Sequence, residues 1–212
     1  MIHWLIIIAG TGKTFLASKV IDEIQNALKS SPNHEGIAFF YCNRNETERL
    51  EPLSVIRSFV RQLSTIANDE NSIQKRLRKL HIQTQLEACE LTMNVCKELL
   101  LEFINLYPKT TLILDALDEC DKGKRSALVE IFDYFLANAS RPVKIFISSR
   151  PDSDIKDRFK SRANIEIQAI DNHNDIATFV ENEIIKHPRW NKISPALQDQ
   201  IIDTLQKRSQ GM

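Results

Sequence analysis

Several things are missing from this 212-residue sequence, and each absence narrows what the chain can be. Net charge is missing: 28 lysines and arginines stand against 28 aspartates and glutamates. A chain whose main partner is nucleic acid or an anionic membrane carries a basic excess, so neither partner is expected. The four cysteines, Cys42, Cys89, Cys96 and Cys120, have no C-x-x-C spacing and read as reduced thiols of a cytoplasmic protein. Cys89 and Cys96 would share one helix face, where core packing is the ordinary role. The opening MIHWLIIIAG lacks a cationic lead and a cleavage site, and its apolar run is too short to span a bilayer. Internal repeats and low-complexity tracts are also lacking.

What is present suits one sizeable domain: 42% hydrophobic and 26% charged residues are ordinary for a globular chain. Apolar runs alternate with helical patterns. Strands are expected at 4–8 (WLIII), 37–42 (IAFFYC), 110–115 (TTLILD) and 143–149 (VKIFISS), with an alternating edge strand at 164–170 (NIEIQAI). A first helix from Thr14 turns Leu16, Val20, Ile24 and Leu28 to one side. A second starts at Pro52, which suits a first helical turn, and faces Leu53, Ile56, Phe59, Val60 and Leu63 inward. Two helices are expected within 71–106, one over 125–137, and two more near 175–186 and 195–207. Strands apolar on both faces belong to a parallel sheet covered by helices, so the class is α/β, with about five mainly parallel strands in a three-layer sandwich. Residues 1–170 would form the core and 171–212 a helical C-terminal region.

In an open parallel sheet, ligands bind where strand C-termini meet helix N-termini. Three stretches fall there. AGTGKT (Ala9, Gly10, Thr11, Gly12, Lys13, Thr14) follows the first strand; its glycines let backbone N–H groups turn toward phosphate oxygens. Lys13 would reach the β- and γ-phosphates, and the Thr14 hydroxyl would bind Mg2+. An ordinary glycine-containing turn is the competing reading. LILDALDECD ends the third strand in Asp115, with Asp118 and Glu119 just beyond. A carboxylate at a strand end can hold Mg2+ through water, and a second acid nearby can position the attacking water. Helix capping explains one such aspartate, Asp118 or Asp121, but not the cluster. The pair Lys13-Thr14 is expected to face Asp115 across adjacent strand ends. FISSRPD follows the fourth strand; Ser148 and Ser149 would report on the γ-phosphate, and Arg150 would contact it or an acidic neighbour.

Together, AGTGKT, FYCNRNE, LILDALDECD, FISSRPD and the later DNHNDIATFV closely resemble the NACHT group of signalling NTPases. The narrower resemblance is to the nephrocystin-3-like NTPase module of fungal NOD-like receptors, and it covers nearly the whole chain. It implies a P-loop NTPase of the signal-transduction class that binds ATP or GTP with Mg2+ through residues Ala9 to Phe15. Asp115 would be the magnesium aspartate, Asp118 and Glu119 the hydrolytic acids, and Arg150 a phosphate sensor. Two features depart from the family. Ile7 stands where G-x-x-x-x-G-K-[ST] has its first glycine, so the loop is about two residues short. The chain also ends at Gly211-Met212, where relatives continue into a lid-like region; protein partners or self-association would act through flanking regions. The rival readings are a degenerate NTPase serving as an interaction module, and a nucleic-acid motor, which needs a basic face. QKRLRKLH (74–81) reads as a solvated helix face, and Arg44 as an exposed arginine within reach of phosphate. The five histidines (His3, His34, His81, His173, His187) form no ligand spacing, so no metal beyond magnesium is expected.

Overall fold

The computed structural model describes residues 2–7, 12–29, 35–66, 91–162, 164–167, 178, 181–184 and 186–209, with backbone alone for 2–7, 65–66 and 206–209. Five strands form one parallel sheet: β1 (Ile2–Ile7), β2 (Gly36–Tyr41), β3 (Thr110–Asp115), β4 (Val143–Ser149) and β5 (Asn164–Ile167). Their order across the sheet is β2-β3-β4-β1-β5. All strands therefore end at one edge, where Tyr41 pairs with Asp115 and Ile6 with Ser149.

Period-two alternation sorts the strand residues between two cores. Leu112, Leu114, Ile145 and Ile147 enter the larger core, while Ile113 and Phe146, one residue out of phase, meet the smaller. The larger core is built by helices α3 (Pro52–Ile66), α4 (Met93–Leu106), α5 (Arg125–Asn138) and α6 (Ser153–Phe159). Phe59, Phe103, Phe132 and Phe135 are fully buried there. The smaller core lies under α1 (Lys13–Lys29), which buries Ile21 against Ile37 and Ile113 and also buries Ala17. The sandwich is therefore three layers, as its two-faced strands require.

Helix α3 begins at Pro52 and buries Ile56, Phe59, Val60 and Leu63, with Leu53 part-buried beside them. On α1, Val20, Ile24 and Leu28 pack part-buried against the smaller core as expected, while the fully buried residues of the helix are Ala17 and Ile21. A short α2 (Thr47–Leu50) precedes α3, and α7 (Pro195–Ser209) follows a 3-10 turn at Trp190–Lys192. Of the helices expected within 71–106, α4 is observed from Met93, with Cys96 buried on it; 67–90, including Cys89, lies outside the described residues. Most of the helix expected near 175–186 and the end of the edge strand beyond Ile167 also lie outside them. No helix among the described residues is long and apolar enough to cross a membrane.

The expected adjacency of the β1 and β3 ends is corrected: β4 runs between them. Strand order across a parallel sheet depends on how the crossovers pack, which residue patterns along the chain do not encode. The inserted strand brings Ser148 into the middle of the site.

Candidate active site: a cleft at the strand ends

Of the expected phosphate loop, Ala9, Gly10 and Thr11 lie outside the described residues, and Gly12, Lys13, Thr14 and Phe15 open the site. Gly12 has φ +82°, a left-handed backbone that side-chain-bearing residues adopt with difficulty, and its carbonyl accepts the Leu16 N–H at 2.9 Å. That kink starts α1 at Lys13. The side chain of Phe15, 70% exposed, points away from the core.

Asp115 ends the buried β3 and is itself only 1% exposed. Both its carboxylate oxygens are engaged: Thr14 donates its hydroxyl to Oδ2 at 2.8 Å, and Ser148 donates a short hydrogen bond to Oδ1. The Ala116 N–H donates in turn to Ser148 Oγ at 3.0 Å, so one buried hydroxyl of β4 bridges the Asp115 side chain and the backbone after it. Ser149, equally buried, donates to the Arg150 carbonyl at 2.8 Å. Both serine hydroxyls thus serve the scaffold in this structure. Ala116 itself is left-handed (φ 58°, ψ 52°), an uncommon conformation for a residue with a Cβ. It throws the chain into the 3-10 turn Leu117–Glu119 and sends Asp118 back over the strand ends.

Asp118 gathers the charged side chains at the strand ends. Its side chain is 2% exposed, yet three cations from three segments converge on it. Lys13 Nζ lies 3.4 Å from Oδ1, Arg44 Nη2 3.6 Å from Oδ2, and Arg150 Nε 3.4 Å from Oδ2. The Arg150 backbone N–H donates to Oδ1 at 2.9 Å. Asp118 Oδ2 and Arg150 Nε nevertheless lack a hydrogen-bond partner. Buried polar atoms are rarely left so, because desolvating a charged group without replacing its hydrogen bonds is costly. Glu119 lies beside them, accepting the Arg44 N–H at 3.3 Å, with Arg44 Nη2 3.8 Å from its Oε1. The three expected acids and Arg150 do meet in one place. Asp118 does not cap a helix, and Asp121 instead accepts the Gly123 N–H at 2.9 Å in a local turn.

A cleft of about 380 Å³ opens between Lys13, Thr14, Tyr41, Asn43, Arg49 and Glu119. Two arginines were not foreseen as central. Arg44, on Asp118 and Glu119, carried one usable signal, its place just past the end of β2, where ligands of parallel sheets gather. Arg125, the first residue of α5 and outside the cleft, carried none.

At the rim of the cleft, Cys42 and Cys120 are neighbours. The contact with Cys120, together with burial, pushes the Cys42 thiol far above its ordinary range, and the same contact lowers Cys120. Cys120 also donates to the Leu50 carbonyl at 3.0 Å. Both thiols are free.

The donor set fits magnesium. Thr14 Oγ1 and Asp115 Oδ2 are hard oxygens 2.8 Å apart, close to the separation of roughly 2.9 Å between cis ligands of an octahedral ion with 2.0–2.1 Å bonds. No cluster of three or more His, Cys, Asp or Glu side chains forms a metal cage among the described residues. A bound ion would take its remaining oxygens from water and phosphate, which is how Mg2+ is usually held. Its chemistry there is neutralisation of phosphate charge. A lysine and two arginines meet at Asp118, with Glu119 beside them.

Comparison with known proteins fits this geometry. The chain is similar to the Orc1 protein of Aeropyrum pernix, solved in complex with DNA, at TM-score 0.50 and 16% identity over 85% of this chain and 43% of that one. A DNA replication initiation factor gives TM-score 0.45 and 14% identity over 99% of this chain and 50% of the other. The chain thus spans half or less of these proteins' length. No curated protein matches its sequence. The sequence profile described as nephrocystin 3, N-terminal, matches residues 1–150, a stretch that contains β1 through β4 and every side chain of the cleft. This chain belongs to the nephrocystin 3 N-terminal family and has a P-loop NTPase fold.

Proposed function

We propose that the chain is the nucleotide-dependent switch of a NACHT-type signalling protein, binding ATP or GTP with Mg2+ and hydrolysing it slowly. One observation carries the reading: a buried carboxylate, Asp118, holds Lys13, Arg44 and Arg150 together while an oxygen of the acid and a nitrogen of Arg150 stay unpartnered. Three cations gathered around one carboxylate suit a more highly charged γ-phosphate better. Phosphate entry would pull them off Asp118, a local exchange of charge partners that can bias a larger rearrangement. Glu119 would orient the attacking water. Arg44 and Arg150 would offset charge developing on the phosphate oxygens, as electrostatic catalysis requires. Residues 1–170 would act as the nucleotide core and 171–212 as the start of a lid-like region. Protein partners or self-association, and a cytoplasmic setting, complete the reading. The DNA in the Orc1 complex belongs to that protein; the zero net charge of this chain favours a protein partner.

The test is calorimetry of the isolated chain with ATP, GTP and ADP, with and without Mg2+, followed by phosphate-release kinetics. Magnesium-dependent binding is expected, with turnover on the order of one per hour, as for switch GTPases before an activating arginine arrives. A second reading, an interaction module that has lost nucleotide, is favoured by Ile7 at the position of the first glycine. Absence of heat with any nucleotide would establish it. Insertion of Ser-Gly between Ile7 and Ile8, tightening ATP about tenfold, would show a weakened site instead.

A further inference from the structure

Arg125 has no part in the cleft, yet among the ion pairs of the described residues it is the most deeply buried cation, with its side chain 3% exposed. It donates through Nε to Asp154 Oδ2 at 2.6 Å, through Nη2 to Asp154 Oδ1 and, at 3.0 Å, to Asp152 Oδ2, and through Nη1 to the Asp118 carbonyl at 3.4 Å. Burial opposes its charge, but the hydrogen bonds it donates to Asp154 and Asp152 outweigh it and raise its pKa; Asp154 is lowered by the same bond. A buried guanidinium is costly unless several acceptors surround it. Four hydrogen bonds close a ring here. Arg125 holds the Asp118 carbonyl; the Asp118 carboxylate takes the Arg150 N–H at 2.9 Å; the Arg150 carbonyl takes the Asp152 N–H at 2.9 Å; and the Asp152 carboxylate returns to Arg125. Pro151, inside the ring, restricts the only intervening backbone.

We propose that Arg125 is a positioning residue: its ring of hydrogen bonds locks the Arg150 loop onto the acidic turn and so aims Arg150 at the γ-phosphate end of the cleft. The aiming at phosphate rests on the nucleotide reading given above; the locking does not. A planar fork is required because two carboxylates and a carbonyl must be reached at once. Lysine carries the charge but cannot span them.

Two measurements on the 212-residue chain test this, using Arg125→Met, Arg125→Lys and, should the methionine variant not fold, Asp154→Asn. The first is hydrogen exchange of the Arg150 amide without nucleotide. Arg125→Met should speed it at least tenfold while the β3 and β4 amides keep their rates, with Arg125→Lys between. An unchanged Arg150 amide, or equal acceleration throughout the sheet, overturns the lock. The second is affinity for Mg·ATPγS against Mg·ADP. Arg125→Met should weaken ATPγS about tenfold and leave ADP within twofold, and Arg150→Ala on that background should add little, since coupled residues are not additive. Equal loss for both nucleotides, or full additivity, overturns the aiming. A wild-type chain that binds neither nucleotide overturns the switch reading and the aiming together, and leaves the exchange result to decide the lock.

Discussion

Asp115 and Asp118 stand three residues apart on one loop and live in opposite conditions. Asp115 is a finished corner: a hydroxyl on each oxygen, the Ala116 amide behind one of them, and no polar atom left over. Asp118 is as buried, but it is ringed by cations at 3.4–3.6 Å, and one of its oxygens has no hydrogen bond. The first arrangement is pre-organised and resists change. The second is held by charge alone on one side and can be replaced by a better anion. Under the switch reading, Asp115 would give rigidity to a metal corner and Asp118 exchangeability to the phosphate contacts, the division that a nucleotide-dependent switch needs.

Substitutions can break this contrast. The largest effect is expected from Lys13→Ala, which removes a charge-assisted phosphate contact: ATP affinity should fall about a hundredfold, the upper end for one such bond. The melt without nucleotide should barely move, because Lys13 contributes charge and little packing. Calorimetry that finds equal affinity in both proteins rejects Lys13 as a phosphate ligand. Ser148→Ala should be the reverse, a stability mutant first. It leaves the Ala116 N–H and Asp115 Oδ1 short of a partner, at a cost of about 1–3 kcal/mol. Calorimetric melting should drop by several degrees, roughly 2–4 °C per kcal/mol for a chain of this size. A melt within a degree of wild type would mean that water takes the hydroxyl's place.

Asp118→Asn gives a change of opposite sign. Without the carboxylate, the three cations lose their competitor for phosphate, so Mg·ATP should bind about tenfold tighter while turnover slows. Weaker binding would show that Asp118 holds the cations in place rather than competing for them. The smallest effect concerns pH. The Arg125 hydrogen bond holds Asp154 below its ordinary pKa, so its contribution to stability is complete above that value, near pH 4, and is lost as pH falls through the lower folded value. The melting difference between wild type and Asp154→Asn should accordingly be constant above about pH 5 and shrink below about pH 4. A difference that persists at pH 2 would assign the effect to packing.

The distinction between the two aspartates was only partly legible beforehand. Both stood out as acids past a strand end, together with Lys13, Thr14, Glu119 and Arg150, because phosphate chemistry uses few residue types and parallel sheets present them at one edge. Nothing in LILDALDECD says that Asp115 would be saturated by hydroxyls and Asp118 left open. That depends on Ser148, thirty-three positions from Asp115, and on a left-handed Ala116, which no alanine advertises. Arg125 was invisible for the same reason. At the start of a helix an arginine reads as solvated, and only the docking of α6 makes it a buried strut.

By itself, the sequence determined the fold class, the strand segments and the residue types of the site. Those follow from short-range rules: two-faced apolar runs, 3.6-residue periodicity, and glycine where the backbone turns left. Tertiary structure alone decided that β4 lies between β1 and β3, which serine saturates Asp115, and which arginines surround Asp118. These are contacts between segments tens of residues apart. They are settled when helices pack on both faces of the sheet and bring the strand ends to one edge, and no local pattern carries that information.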